Sequence, residues 1–518
     1  MKRILNLMCA AFAAAALFVS CSKDGDTLLS KVPADAGYVV YGKMGTIVES
    51  AGGKVSGDKV EIPEWLREDK IDFGIEKYAD SGLDLSEIAG WVESANSDFY
   101  IVMAIDDPSK FETFLADNEY VKTGENSGYT FYSSDTYRFS PYCATGNGFA
   151  YFYDGKVDNA EEADKFNKAA SKPITSTAAG KYIAKGNGGG FAMCLKMFEK
   201  ELPYYMEAFS DYTICGQLSL DKDEAELDFV CLDDKGNRIS GLPTGEAMPF
   251  KSSAKISSDA LAYLAPSECL AYAVALKDVD WDSVADTLCK LLDLRGSEKL
   301  MLGMAKEYLS KIDGTVALGI GFDGDINALE KFQQGTLSYV PATLVVQTAP
   351  GKAKGLVGDL MALFKTFGVK TTELGDGFSV MLPDDFGMMY AKEIGNMIVV
   401  STRPIEKYGE SPLVKNTSLT SYIAGCGLYL PAEYPIMRDL DINDNLMLRA
   451  VCDLDDQEAE IKLKITGETK GGIMARLLTV AHKISLKVKS LRQEQAFESD
   501  FTPVEEPTEL PVELYYEE

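Results

Sequence analysis

One histidine, His482, occurs in 518 residues. That excludes a multi-histidine zinc or iron centre, and any general-base chemistry falls to carboxylates or lysine. Positive charge is scarce as well: 51 Lys and Arg face 80 Asp and Glu, a formal charge of -29. Such a surface repels phosphate backbones and anionic lipid alike, so nucleic acid is not expected as a partner. There is no Cys-x-x-Cys pair, no Gly-x-Ser-x-Gly elbow and no second histidine to activate a serine. What is there is 46% hydrophobic and 25% charged, a chain long enough for two or more packed domains.

The N-terminus carries an address. Lys2 and Arg3 precede an apolar run from Ile4 to Val19, and polar Ser22, Lys23, Asp24, Gly25 and Asp26 follow at once. The run is too short and too alanine-rich for a membrane span and predicts a secretory signal over residues 1–20. Leu17-Phe18-Val19-Ser20-Cys21 has the small residue before cysteine that lipoprotein processing requires, with Phe18 where leucine is usual. Cys21 is therefore expected to be the lipidated N-terminal residue, followed by a tether over 21–30. Removing two of the 51 bases and no acids leaves 80 against 49, or -31, so the lipid rather than charge must hold the protein to its membrane. An outer-membrane lipoprotein of the bacterial envelope follows, facing periplasm or cell surface. The eight other mature cysteines sit mostly in apolar runs and are expected to be largely unpaired.

A long faint repeat runs through the rest. Pro33-Ala34-Asp35-Ala36 is answered by Pro266-Ser267-Glu268-Cys269 at an offset of 233, and Val121-Lys122-Thr123 by Val369-Lys370-Thr371. Gly128 and Gly146 are answered by Gly377 and Gly395 at 249, Tyr182-Ile183-Ala184 by Tyr422-Ile423-Ala424, and Glu224-Ala225-Glu226 by Glu458-Ala459-Glu460 at 234. The matches keep their order, which points to a tandem duplication. It predicts two similar domains, 31–237 and 263–468, joined by a linker over 238–262.

Within each half a two-residue period dominates. Ala225, Leu227 and Phe229 alternate with Glu224, Glu226 and Asp228, and Ala459, Ile461, Leu463 and Ile465 with Glu460, Lys462 and Lys464. One wet face suits antiparallel sheet backed by helices, and Glu125-Asn126-Ser127-Gly128 and Gly375-Asp376-Gly377 read as hairpin turns. The fold class is α+β, in two tandem, similar domains. A C-terminal helix over 469–495 carries Ile473, Leu477, Ile484, Val488 and Leu491 on one stripe and should close the second half. Residues 496–518, acidic and holding Pro503, Pro507 and Pro511, read as a disordered tail.

Chemistry is sparse. His482 has no ligand cluster at metal-binding spacing and reads as structural. Gly186-Asn187-Gly188-Gly189-Gly190 lacks the Lys-Ser or Lys-Thr of a phosphate loop. Asp323-Gly324-Asp325-Ile326-Asn327 resembles the start of a calcium loop, but Ala328 replaces its turn glycine and Gln334 its closing glutamate. Asp441, Asn443, Asp444 and Asn445 form another oxygen cluster that turn geometry alone explains. Tyr151-Phe152-Tyr153 and Tyr204-Tyr205 through Tyr212 could stack on sugars or peptides, though core packing is the plainer role. No catalytic, cofactor or metal residue is assigned.

Together the lipoprotein signal, the short spacer, Pro33-Ala34-Asp35-Ala36 and the duplicated α+β body resemble a family of Bacteroidota lipoproteins of unknown function. The resemblance covers nearly the whole mature chain and implies no activity or catalytic residue. The expected role is a non-enzymatic, lipid-anchored envelope module that binds a protein or glycan or supports assembly. The alternative is a carboxylate- or Ser-Lys-based hydrolase of envelope polymers.

Overall fold

The computed structural model describes residues 28–64, 78–94, 98–136, 140–155, 158–198, 210–239, 254–291, 294–321, 340–382, 387–453, 458–469 and 471–500. It is α+β, with eleven α-helices among the described residues around a mostly antiparallel sheet. The earlier strands are β1 (Tyr38–Lys43), a separate hairpin of β2 (Lys54–Ser56) and β3 (Lys59–Glu61), β4 (Leu83–Val92), β5 (Phe99–Ile105), β6 (Val121–Asn126), β7 (Tyr129–Ser133), β8 (Tyr142–Gly146), β9 (Phe149–Tyr153), β10 (Gly189–Cys194), β11 (Thr213–Leu220) and β12 (Glu224–Leu232). The later ones are β13 (Glu268–Leu276), β14 (Ile312–Gly321), β15 (Ala342–Thr348), β16 (Thr371–Leu374), β17 (Gly377–Met381), β18 (Met388–Ile394), β19 (Met397–Ser401), β20 (Ala424–Leu430), β21 (Asp444–Asp453) and β22 (Glu458–Gly467).

From its outer edge inward the first run pairs in the order β6-β7-β8-β9-β5-β4-β1-β10-β11-β12. The second runs β16-β17-β18-β19-β15-β14-β13-β20-β21-β22. Each strand of the first order is thus replaced by one at the same place in the second. The two runs are not separate sheets, as the repeat predicts, but one sheet of twenty strands joined where β12 pairs antiparallel with β22. The physical reason lies at the edges. Each run ends on a strand with an unpaired row of N–H and C=O groups, and pairing one end with the other satisfies both.

The join has a regular register: Glu224 faces Lys464, Glu226 faces Lys462, Leu227 faces Ile461 and Asp228 faces Glu460. The central pair, Leu227 and Ile461, is 234 apart, the offset that lays Glu224-Ala225-Glu226 on Glu458-Ala459-Glu460. In the hairpins the ladders move the sequence matches by one. Asn126 pairs with Tyr129 and Leu374 with Gly377, while Gly146 pairs with Phe149 and Ile394 with Met397, all at an offset of 248. Ser127-Gly128 and Asn147-Gly148 take the positive φ of two-residue hairpin turns, which tripeptide identity cannot reveal. Tyr182 and Tyr422 also differ locally: the first lies within the helix Ala178–Ile183, the second caps a short 3-10 turn before β20.

Both faces of the first run are covered. Tyr151 and Tyr153, each 2% exposed, pack on Phe166 of the helix Asn159–Ser171, with the Tyr151 and Phe166 rings stacked 4.2 Å apart. Phe152 points the other way, into the core of Phe111 and Leu115 from the helix Pro108–Asp117. The aromatic run is core. Tyr204 and Tyr205 lie outside the described residues.

The C-terminal helix, Ile473–Asp500, does more than close the second half. Its Ile473, Met474 and Val480 share one core with Met44 and Ile47 of the helix Met44–Ser50, so it bridges the two runs. The Met474 N–H donates to Ser50 Oγ at 3.1 Å, and Arg476 lies 3.3 Å from Asp223 and 3.8 Å from Asp444. Only the start of the expected stripe is buried, since Ile484 is 42% exposed. Helical backbone continues through Asp500, past the expected end at 495, as the helix-favouring Glu494-Gln495-Ala496 allows. The tail beyond it lies outside the described residues.

Candidate functional site

The first run carries a cleft between the segment before β1 and the helix Asn159–Ser171. Two adjoining cavities, of about 240 and 730 Å³, share Asp35 and Glu93 in their walls. Residues far apart in sequence meet here: Trp91 from β4, Tyr100 from β5, Lys165 and Lys168 from the helix, and Asp233 and Lys235 from the turn after β12. Asp158 caps that helix by accepting from the Ala160 N–H at 2.8 Å, and Ala163 and Phe166 bury its inner face, which turns Lys165 and Lys168 to the rim. Lys168 lies 2.6 Å from Asp35, and this contact holds the Asp35 carboxyl below the usual range.

Behind the rim stands a buried polar wall. Glu162 is fully buried and accepts through Oε1 from Tyr100 Oη at 3.2 Å and Lys165 Nζ at 3.1 Å. Burial raises its pKa, opposed by the hydrogen bond and charge of Lys165, while Oε2 has no partner among the described residues. The Tyr100 ring stacks on Trp91 at 4.9 Å, and burial followed by the Glu162 charge pushes its hydroxyl up. The cleft thus offers both charge signs at its mouth over an aromatic floor.

By the proline motif, the second run's counterpart of Asp35 is Glu268, and its setting is opposite. Glu268 is 2% exposed, accepts from the Ala265 N–H at 3.0 Å and from Thr343 Oγ1 at 2.6 Å, and is pushed up to about 7 by burial. The folded protein therefore keeps this proton up to about pH 7, whereas the unfolded chain releases it near the ordinary value of 4.5. Between those values the folded state binds more protons, so this group's contribution to stability falls as pH rises through the window. Glu268→Gln can keep both contacts, because Thr343 also has Ser401 Oγ at 3.1 Å to donate to. The variant is expected to gain on the order of 3 kcal/mol over wild type between pH 4.5 and pH 8. Urea midpoints at the two pH values read this directly, and an equal pH dependence in both proteins refutes it.

A second polar site lies on one face of the β12–β22 join. Lys462 Nζ sits 2.7 Å from Glu226 and 2.8 Å from Glu224, and Lys464 Nζ 2.5 Å from Glu224. The next rung breaks the pattern, because Asp228 faces Glu460. One ligand atom each from Glu226, Asp228 and Glu460 lies within 4.8 Å of the others. Gln217 Nε2 donates to Asp228 Oδ2 at 3.1 Å, and Arg449 Nε to Glu460 Oε1 at 3.1 Å. Burial, with Glu226, Glu460 and Glu458 adding to it against the Gln217 bond, pushes Asp228 up to about 6. Tyr182 and Tyr422 flank this face. Burial and then the charges of Glu458 and Asp228 raise the first, and the second lies under the Arg449 guanidinium at 4.9 Å.

The sequence candidates separate clearly. Gly186 to Gly190 serve close packing: a Cβ on Gly189 would lie 2.2 Å from the Tyr41 carbonyl oxygen, and Asn187 is bonded on both sides to the Leu220 backbone. Asp444 and Asn445 hold backbone, accepting from Thr469 N at 3.1 Å and Ala432 N at 2.9 Å, and Asp441 takes Lys483 at 3.4 Å. None of the eight cysteines among the described residues forms a disulfide, and Cys143, Cys215 and Cys269 are buried. His482 is half-buried on the C-terminal helix. Cys21 and the Asp323 loop lie outside the described residues. The cleft and the acidic rung went unread because both depend on partners distant in sequence; the alternation at Glu224, Glu226 and Asp228 signals only a polar face.

No family model and no curated protein matches the chain. Two crystal forms of TP0453 match among solved structures. Form IV covers 39% of this chain and 79% of that one at 12% identity and a TM-score of 0.26; form I covers 74% and 96% at 11% and 0.19. No helix among the described residues is long and apolar enough to cross a membrane.

Proposed function

We propose that this chain is a lipid-anchored bacterial envelope protein that binds a polar ligand without transforming it, and that it descends from two copies of one ten-strand unit. The shared strand order and the 234-residue offset at the centre of the join support the duplication. The observation that carries binding is the pair of cavities sharing Asp35 and Glu93, open in the first copy, while Glu268 in the second is built into core. In this reading the first copy binds, and the second, where the matching carboxylate Glu268 is taken into the core, supports it. Lysines and carboxylates around hydroxyls such as Thr177 and Thr213 suit a ligand bearing amine and carboxylate groups, as a peptide does. Anchoring rests on Ser20-Cys21 after the apolar run, and the resemblance to Bacteroidota lipoproteins agrees with it.

Two measurements test this. Metabolic labelling with an alkynyl fatty acid is expected to mark the protein and to be lost in Cys21→Ala; label retained by that variant contradicts the anchor. A photo-cross-linking residue at Lys235, in the cleft wall, is expected to capture a defined envelope peptide or protein, whereas the same residue at exposed Glu112 captures none. Equal capture from both positions, or none from Lys235, contradicts the binding cleft.

A further inference from the structure

We infer that the smaller cavity of the cleft is a carboxylate subsite, in which the Trp91 indole N–H and the Lys165 ammonium donate to one carboxylate of the ligand. The inference rests on the reading of the cleft as a ligand site and adds the group that its narrow end recognises. Trp91 belongs to β4 and is 3% exposed, yet it lines this cavity. Its indole N–H has no hydrogen-bond partner among the described residues and is not sealed in the core, so it opens on the cavity. A donor held in a buried wall without a partner calls for an acceptor.

Lys165 supplies the second donor. Its Nζ stands 2.9 Å from Tyr100 Oη and 3.1 Å from Glu162 Oε1, and both of these partners are buried. An ammonium carries three N–H groups, so the two contacts leave one, and Lys165 lines the same cavity as Trp91. The side chain is fixed before any ligand arrives, because its neighbour Phe166 is buried and its head is held twice. Little rotamer entropy remains to be lost on binding. The Tyr100 ring in turn stacks on Trp91 at 4.9 Å with the planes 11° apart, which ties the two donors to one rigid aromatic pair.

The chemistry of the unclaimed groups selects the ligand. Both are donors, so a ligand ammonium has nothing to gain from them, whereas a carboxylate brings two acceptor oxygens and the stronger, charge-assisted bond to lysine. The walls also hold Asp35, paired with Lys168 at 2.6 Å, and Glu93. The cavity therefore selects by hydrogen bonds rather than by net positive charge, and a short carboxylate should bind with a Kd of about 1–10 mM. At about 240 Å³ it has the volume of roughly eight waters, room for a carboxylate and the residue that bears it. The adjoining cavity of about 730 Å³ takes the rest of the chain.

The test uses the mature, unlipidated full chain, isotope-labelled at the indole nitrogens of its three tryptophans, with Trp91→Phe identifying the Trp91 signal. Acetyl-dialanine with a free C-terminal carboxylate is titrated against its C-terminal amide, with sodium chloride matching the ionic strength. The Trp91 N–H signal is expected to move saturably with the acid and not with the amide, while the other two stay in place. Acetyl-glutamate amide, titrated alongside, distinguishes a side-chain carboxylate from a chain end, and a response to either acid supports the subsite. Lys165→Gln should weaken the acid about tenfold. If that variant fails to fold, Trp91→Phe, which keeps the aromatic stack, should weaken it about fivefold by saturation transfer observed on the peptide. A Trp91 signal unmoved by both acids up to about 20 mM, or moved equally by acid and amide, overturns the inference. Unchanged affinity in folded Lys165→Gln overturns it too. Capture from Lys235 with an unmoved Trp91 signal overturns the carboxylate subsite and leaves the cleft reading standing. A Trp91 response without capture supports the subsite and contradicts the peptide or protein partner of that reading.

Discussion

Replacing Gly190 with valine is expected to leave no cooperatively folded first half. The position lies in β10 between two neighbouring strands, and a Cβ there would sit 2.4 Å from the Gly216 carbonyl oxygen and 3.0 Å from Ile183. Backbone cannot yield as a flexible side chain can, so β10 and β11 would have to separate. The neighbouring glycine adds to the constraint, since Gly189 has a φ of +118° that residues with a Cβ rarely adopt. Overpacking against backbone in a central strand should cost more than about 3 kcal/mol. Soluble yield and the melting transition read the outcome. A Gly190→Val protein melting within a degree of wild type would show that these strands do not approach as described.

Proline at Leu227 should be nearly as damaging, for a different reason. β12 is paired on both sides, with β11 and β22, so any N–H removed from its middle was serving one ladder or the other. The ring deletes that bond and leaves a carbonyl unsatisfied, for a cost of roughly 3 kcal/mol. Spread over one cooperative unit of both halves, that cost should lower the melting midpoint by about 3 °C. Because Leu227 faces Ile461 at the centre of the join, the loss should fall on both halves together. A Leu227→Pro protein with an unchanged midpoint would place β12 at a free edge.

Alternation at Ala225, Leu227 and Phe229, and again from Ala459 to Ile465, was enough to read antiparallel sheet with one polar face, because that pattern is local. The partner of each strand was not local. β12 and β22 look alike in sequence to two solvent-facing strands, and the complementarity of Glu226 with Lys462 appears only once they are set side by side. Identity aligns Gly128 with Gly377, one residue away from the ladder, which puts the first in a turn and the second in a strand. By composition alone the glycine run 186–190 reads as a loop, yet its last two residues open β10. Its composition is instead set by carbonyls of Tyr41 and Gly216, contacts that no window along the chain contains. The cleft was illegible for the same reason, since Asp35, Trp91, Lys168 and Asp233 come from four separate segments.

The central claim is that two like runs of strands form one sheet through β12 and β22, and hydrogen exchange of the intact chain tests it most directly. Peptides spanning Glu224–Leu232 and Glu458–Gly467 should exchange as slowly as Thr213–Leu220, an interior strand, and much more slowly than Val121–Asn126 and Thr371–Leu374 at the two outer edges. In Leu227→Pro both joining strands should lose protection together. Fast exchange of β12 and β22 in the wild-type chain, at the rate of the outer edges, would contradict the joined sheet and the duplication proposed from it.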